Sequence, residues 1–197
     1  MDLTLIRHAR PEHIENASGP ADPGLTEVGF RQARAAAGFV CGERIDAIYV
    51  SPMLRARQTS EPLERITGIK ADVVQGVQEY DADDRSYIPV EVMRQDKERW
   101  KEFLASDGTA TSNDFYQQVV DSIETIVGQH RGDRVVIVCH GGVINTWAAH
   151  VLGLGPGMFF DPEYTSVNRF AAASSGERSV ISLNETSHLT GDLKLYR

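Results

Sequence analysis

Two short apolar stretches of this 197-residue chain each run directly into a histidine. Residues 3–6 (LTLI) deliver Arg7-His8, and residues 135–139 (VVIVC) deliver His140-Gly141-Gly142. A third stretch, residues 45–50 (IDAIYV), ends in Ser51-Pro52, with Arg55 close behind. Apolar runs of this length, bounded by charged or turn residues, predict strands. Ser-Pro predicts a helix start, with serine as N-cap and proline at the first helical position. In open parallel sheets ligands bind outside the C-terminal ends of the strands. If these strands are neighbours, two imidazoles and two guanidinium groups converge on one sheet edge. Two helix N-termini, one at Gly141-Gly142, add N–H groups that favour an anion. Guanidinium pairs bidentately with phosphate oxygens, so the chemistry implied is that of a phosphate site. Taken singly, a histidine after a strand is ordinarily structural, and an arginine beside a helix start is ordinarily a solvated charge. What favours a site is that such pieces recur at corresponding strand ends.

The elements that must position these residues follow from periodicity. After the first strand comes a loop rich in Pro, Gly, Asn and Ser up to Gly24. A helix then starts at Thr26, a plausible N-cap, with Ala33, Ala36, Ala37 and Val40 at helical spacing. The helix opening at Pro52 runs to about Gly68. A weaker extended segment, 72–77, precedes the acidic stretch Glu79-Tyr80-Asp81-Ala82-Asp83-Asp84. Val92, Met93, Trp100, Phe103 and Leu104 suggest one further helix, and Phe115, Val119, Ile123, Ile126 and Val127 mark another. The all-apolar run 135–139 predicts a central strand buried on both faces, followed by a helix to about Leu152. Two β-like segments, 166–173 and 178–183, flank Ser174-Ser175-Gly176, a hairpin turn. Strands alternating with helices, then a terminal hairpin, predict an α/β three-layer sandwich with a mostly parallel central sheet, helices on both faces and a C-terminal β-hairpin. Neither a repeat nor a linker divides it, so one domain over 1–197 is expected.

Composition narrows the partners. The chain is 41% hydrophobic and 24% charged, which lets it bury enough apolar surface to order itself. The formal charge of −8 arises wholly in residues 61–130, which hold fifteen acids against seven bases. A nucleic-acid partner is therefore not expected, and an anionic ligand must be small and held by a few local cations. Apolar runs are too short for a membrane span, and the first residues lack a signal pattern. The lone pair Cys41 and Cys139 suggests neither a disulfide framework nor a zinc site and fits a reducing, cytoplasmic setting. His13, His130, His150 and His188 show no metal-ligand spacing, so neither a metal nor another cofactor is expected.

With these residues in view, the sequence resembles the histidine phosphatase superfamily, the phosphoglycerate-mutase-like group. The resemblance rests on Arg7-His8-Ala9, LTEVGFRQA at 25–33, SPMLRARQT at 51–59, Glu79, and CHGGVI at 139–144. It implies a catalytic set of His8, Glu79 and His140. His8 would be the nucleophile that forms a phosphohistidine, and Glu79 the acid for the leaving oxygen and then the base for water. Arg7, Arg55 and His140 would hold the phosphoryl oxygens, with Gly141 presenting its backbone. Asp81, Asp83 and Asp84 stand close enough in sequence to compete with Glu79 for its part. Where the family often carries Asn six residues beyond the histidine this chain has Ile14, so Arg10 is a candidate extra phosphate ligand or else a solvated charge. Residues 80–112 lack the Gly-Trp-Glu-Gly-type stretch of some relatives and are expected to cover the site and set specificity. The function implied is metal-independent hydrolysis of a small phosphomonoester. A phosphoglycerate mutase with the same residues, and a non-catalytic phosphate-binding protein, are the rivals.

Overall fold

The computed structural model describes residues 1–98, 101 and 112–194. Among these a six-stranded sheet is formed by β1 (Asp2–Arg7), β2 (Ala47–Val50), β3 (Ala71–Val73), β4 (Arg134–Cys139), β5 (Val167–Ala172) and β6 (Arg178–Glu185). Its order is β3-β2-β4-β1-β5-β6. The first four of these run parallel, whereas β5 is antiparallel to β1 and β6 to β5. The expected mostly parallel sheet with a terminal hairpin is therefore what the chain builds.

Alternation along the strands sorts side chains between two layers. Leu3, Leu5, Val135, Ile137 and Cys139 face α4 (Asn113–Gln129) and α5 (Gly141–Leu152), joining Val119, Ile123, Ile144 and Trp147 in one core. Ile6, Ile48, Val50, Val136 and Val138 face α1 (Glu27–Val40) and α2 (Leu54–Thr67), meeting Ala37, Val40, Ala56 and Leu63. A strand buried on both faces has no polar side, which is why β4 reads as a continuous apolar run.

Thr26 caps α1 as expected, its hydroxyl accepting the Gly29 N–H. The start of α2 differs from expectation: the helix begins at Leu54 and not at Pro52, and Ser51 does not cap it. Its first N–H groups are met from outside the segment, with the Leu54 N–H reaching the Asp22 carboxylate at 2.9 and 3.0 Å. A cap supplied by a distant loop leaves no local trace in the sequence. The extended segment at 72–77 is shorter than expected, because a 3₁₀ turn (Gln75–Val77) follows β3 at once. A short helix α3 (Val90–Met93) covers the first part of the next expected helix. Trp100, Phe103 and Leu104 lie outside the described residues. Cys41 and Cys139 are free thiols, the latter buried in the sheet.

Candidate active site

Strands β1 and β4 are neighbours, with Arg7 paired to Cys139 across the parallel ladder. The His8 N–H continues that ladder to the Cys139 carbonyl at 2.8 Å. His8 and His140 therefore leave the sheet side by side, their ring centroids 5.1 Å apart. His8 is 2% exposed, and His140 and Arg55 are fully buried. The structure brings Arg7, His8, Arg55, Glu79 and Gly141 together around one cleft of about 90 Å³. A wider cavity of about 290 Å³ near Met1, Glu124 and Arg178 lies away from these residues and holds an arginine already paired to Glu124 at 2.6 Å.

The proton on His8 is assigned by its neighbour. Nδ1 lies 2.8 Å from the Ala9 carbonyl oxygen, which can only accept, so Nδ1 carries the hydrogen and Nε2 keeps its lone pair. Burial, and then the charges of Arg55 and Arg7, hold the His8 pKa well below its usual value. The ring is consequently neutral, as a nucleophile must be.

His140 is arranged by a residue the sequence reading passed over. The Ser51 hydroxyl stands 2.7 Å from His140 Nε2 and also accepts a long N–H contact from Met53 at 3.4 Å. A hydroxyl can donate or accept at this distance, and the tautomer in which Ser51 donates to Nε2 is the one that carries the imidazole hydrogen on Nδ1. That Nδ1 is buried and has no hydrogen-bond partner among the described residues. Burial, Arg55, His8 and Arg7 together lower the His140 pKa, which favours the neutral ring.

Arg55 lies across the Tyr87 ring at 4.6 Å, with Nη2 3.3 Å from Asp81 and Nη1 3.9 Å from Asp22. Its Nε and Nη1 make no hydrogen bond to any described residue. Buried donors without a partner are costly, and on a guanidinium that lines a cleft they suit an anionic ligand. Arg7 stacks on Tyr164 at 4.3 Å, donates to the Pro162 carbonyl and stands 3.7 Å from Asp161. Thr59 ties the two halves together: its hydroxyl donates to the Arg55 carbonyl at 2.7 Å and accepts the Ala9 N–H at 2.9 Å. One side chain of the 51–59 string thus links the backbone next to His8 with that of Arg55.

The four acids separate clearly. Glu79 accepts the Gly142 N–H at 2.9 Å, at the positive end of α5. A Cβ on residue 142 would sit 2.3 Å from Glu79 Oε1, so only glycine permits this approach. Burial first, and then the charge of Asp81, raise the Glu79 pKa to about 7, against the pull of the Gly142 N–H and Arg55. Asp81 is committed to Arg55, while Asp83 and Asp84 are exposed.

Arg10 is not brought into the cluster. Its Nε pairs with Glu91 at 3.4 Å, and it does not line the cleft. Its backbone is what the fold uses, because the Arg10 carbonyl accepts from Thr26 and its N–H reaches Gln32 at 3.0 Å. A Cβ at Gly29 would lie 2.1 Å from that carbonyl, which explains the glycine in the 25–33 string. Thr165, at φ 58°, holds the other flank, its N–H shared between the Arg7 and His8 carbonyls at 3.1 and 3.3 Å. A β-branched residue with positive φ carries strain, sustained here by the contacts that hold the Arg7-His8 backbone.

Comparison with known proteins places the chain in a family and a fold. The model of the histidine phosphatase superfamily (branch 1) matches residues 3–186. A bifunctional protein of Mycobacterium tuberculosis is 29% identical over 200 residues, covering 95% of this chain and 54% of that protein. The chain thus spans about half the length of the mycobacterial relatives it matches. Phosphoserine phosphatase 1 of Hydrogenobacter thermophilus is 26% identical, with 95% of this chain and 93% of that protein covered. Among solved structures, a mutant phosphoserine phosphatase of Entamoeba histolytica in complex with phosphoserine superposes with TM-score 0.74 at 26% identity, over 96% of this chain and 99% of that one. A mycobacterial glucosyl-3-phosphoglycerate phosphatase shares the fold, with TM-score 0.76 at 20% identity over 94% and 99% of the two chains.

Proposed function

The chain belongs to the histidine phosphatase superfamily, branch 1, and from that premise we propose that it hydrolyses a small phosphomonoester through a phosphohistidine on His8. The observation that carries this reading is the state of His8: a buried, neutral imidazole with Nε2 unprotonated, flanked by two buried arginines. In the first step Nε2 attacks phosphorus and the bond to the leaving oxygen breaks. The Glu79 carboxyl gives its proton to that oxygen. Arg7, Arg55 and the His140 Nδ1–H hold the equatorial oxygens, where charge is spread in the transition state. In the second step the Glu79 carboxylate takes a proton from water. The resulting nucleophile attacks phosphorus, the P–N bond breaks, and inorganic phosphate leaves with His8 neutral again.

Every proton in this cycle has a residue to carry it, so activity is expected to persist in EDTA. Tyr80, Asp81, Tyr87 and Ile88 lining the cleft support residues 80–112 as its cover within a single domain. A small metabolite in the cytoplasm is the substrate this reading favours. A mutase of the phosphoglycerate type would have to hold a second anionic group, and Arg7 and Arg55 are the only cations among the described residues that line the cleft.

The test uses ³²P-labelled substrate quenched during turnover in EDTA. Acid-labile label on the parent protein and none on His8→Ala is expected. Turnover by His8→Ala at the parental rate would refute a covalent role for His8.

A further inference from the structure

We infer that the phosphomonoester this cleft accepts has an apolar leaving group without an acidic substituent, a reading that rests on the phosphatase function proposed above. Among the described residues the two lining cations, Arg7 and Arg55, stand at the phosphoryl end beside His8. A phosphoryl dianion uses the charge of both. What surrounds the remaining space is of two kinds. Ile88, Val90, Met93 and Met158 contribute hydrocarbon and thioether surface. Glu79, Asp81 and Asp161 contribute carboxyls.

The charges beside the cleft are already paired with one another. Asp161 stands 3.7 Å from Arg7 and 3.1 Å from Arg94, so it already engages both cations. Arg94 lies outside the lining and is ion-paired to Asp161. Arg10 is directed to Glu91. A carboxylate or second phosphate on the leaving group would lose water without gaining a further cation among the described lining residues. An alkyl or aryl group would instead remove the two methionines and Ile88 from water. Methionine's flexible thioether suits leaving groups of varied shape, which points to tolerance within the apolar class. Phosphoserine carries a carboxylate, and it is bound by the Entamoeba histolytica protein. On this reading it is a poor ligand here.

Binding to the whole parent protein separates this inference from the catalytic one. Calorimetry with matched phosphonates, pentylphosphonate, 5-aminopentylphosphonate and 5-phosphonopentanoate, gives three affinities that require no turnover. Pentylphosphonate is expected to bind at least about tenfold more tightly than 5-phosphonopentanoate, with the carboxylate the weakest of the three. Met93→Lys or Met158→Lys, which place a third cation at the apolar wall, are expected to shrink that gap to about threefold or less. Equal or tighter binding of the carboxylate by the parent overturns the inference. So does failure of inorganic phosphate and all three phosphonates to bind. If the phosphonates bind in the expected order but the protein turns over no phosphomonoester, the phosphatase reading fails and the specificity of the cleft stands.

Discussion

Replacing Glu79 with glutamine removes a proton donor while keeping an oxygen for the Gly142 N–H, 2.9 Å away. A carboxyl with its pKa raised to about 7 is about half protonated at pH 7, whereas one at 4.5 would be only about 0.3% protonated. Burial and Asp81 therefore supply about 150 times more of the acid form at neutral pH than an ordinary glutamate would. General acid help to an alkoxide leaving group is worth about 10²- to 10⁴-fold. Glu79→Gln is accordingly expected to lose that factor on an alkyl phosphate such as pentyl phosphate, and less than about tenfold on p-nitrophenyl phosphate, whose leaving group needs little protonation. The parental kcat/KM for the alkyl ester is expected to fall about tenfold per pH unit above about 7, as Glu79 loses its proton. That break should vanish in the variant. Phosphate esters themselves titrate near pH 6, so the assay is the ratio of parent to variant on one substrate, which cancels the ester's own ionisation.

The same residue couples to stability with a defined sign. Because the folded-state pKa lies above the unfolded value, the folded form retains a proton between pH 4.5 and about 7, and stability is lost as pH rises through about 7. Glu79→Gln is thus expected to match the parent below pH 4.5 and to exceed it by at most about 3 kcal/mol above pH 7 in urea unfolding. Parallel pH–rate profiles for parent and variant, together with equal losses on alkyl and aryl esters, would refute Glu79 as the acid.

Other consequences test the neighbouring parts. Ser51→Ala frees the His140 tautomer, so kcat/KM for p-nitrophenyl phosphate should fall about tenfold or more with the fold retained by circular dichroism, and Ser51→Thr should restore part of it. Gly142→Ala places a Cβ 2.3 Å from Glu79 Oε1 and displaces the acid, so losses on alkyl phosphates should exceed those on p-nitrophenyl phosphate. Arg55→Ala leaves Asp81 unpaired and removes two donors from the cleft, and should cost about 10²-fold or more in kcat. Added guanidinium should rescue that variant in part if the lost group bound the phosphoryl oxygens.

Much of the scaffold was legible because each strand and helix obeys a short-range rule. The apolar runs at 3–6 and 135–139 had to be buried, and the only way to bury such a run on both faces is between two helical layers. Thr26 announced a helix by capping it locally. Arg7-His8 and His140 announced a site because strand ends in parallel sheets open onto ligands. Ser51, in contrast, was read as a cap, and the structure gives it to His140 instead, since Asp22 had already met the α2 N-terminus from 32 residues away. Arg10 carries the same charge as Arg7 and Arg55, and no pattern distinguishes it. Its direction is decided by Glu91, a partner remote in sequence.

Local spacing determined which residues reach the sheet edge: residue order, apolar period and capping act within a few residues, where covalent geometry sets direction. Only the tertiary structure decided which of them meet. The proposal of Glu79 over Asp81 as the acid rests on a glycine 63 residues further on whose missing Cβ admits the Glu79 carboxylate. The neutrality of His8 rests on burial, on Arg55 from α2 and on the adjoining Arg7 at the end of β1. Proton affinity and hydrogen-bond partnership are properties of surroundings in space, and those surroundings exist only once the chain has folded.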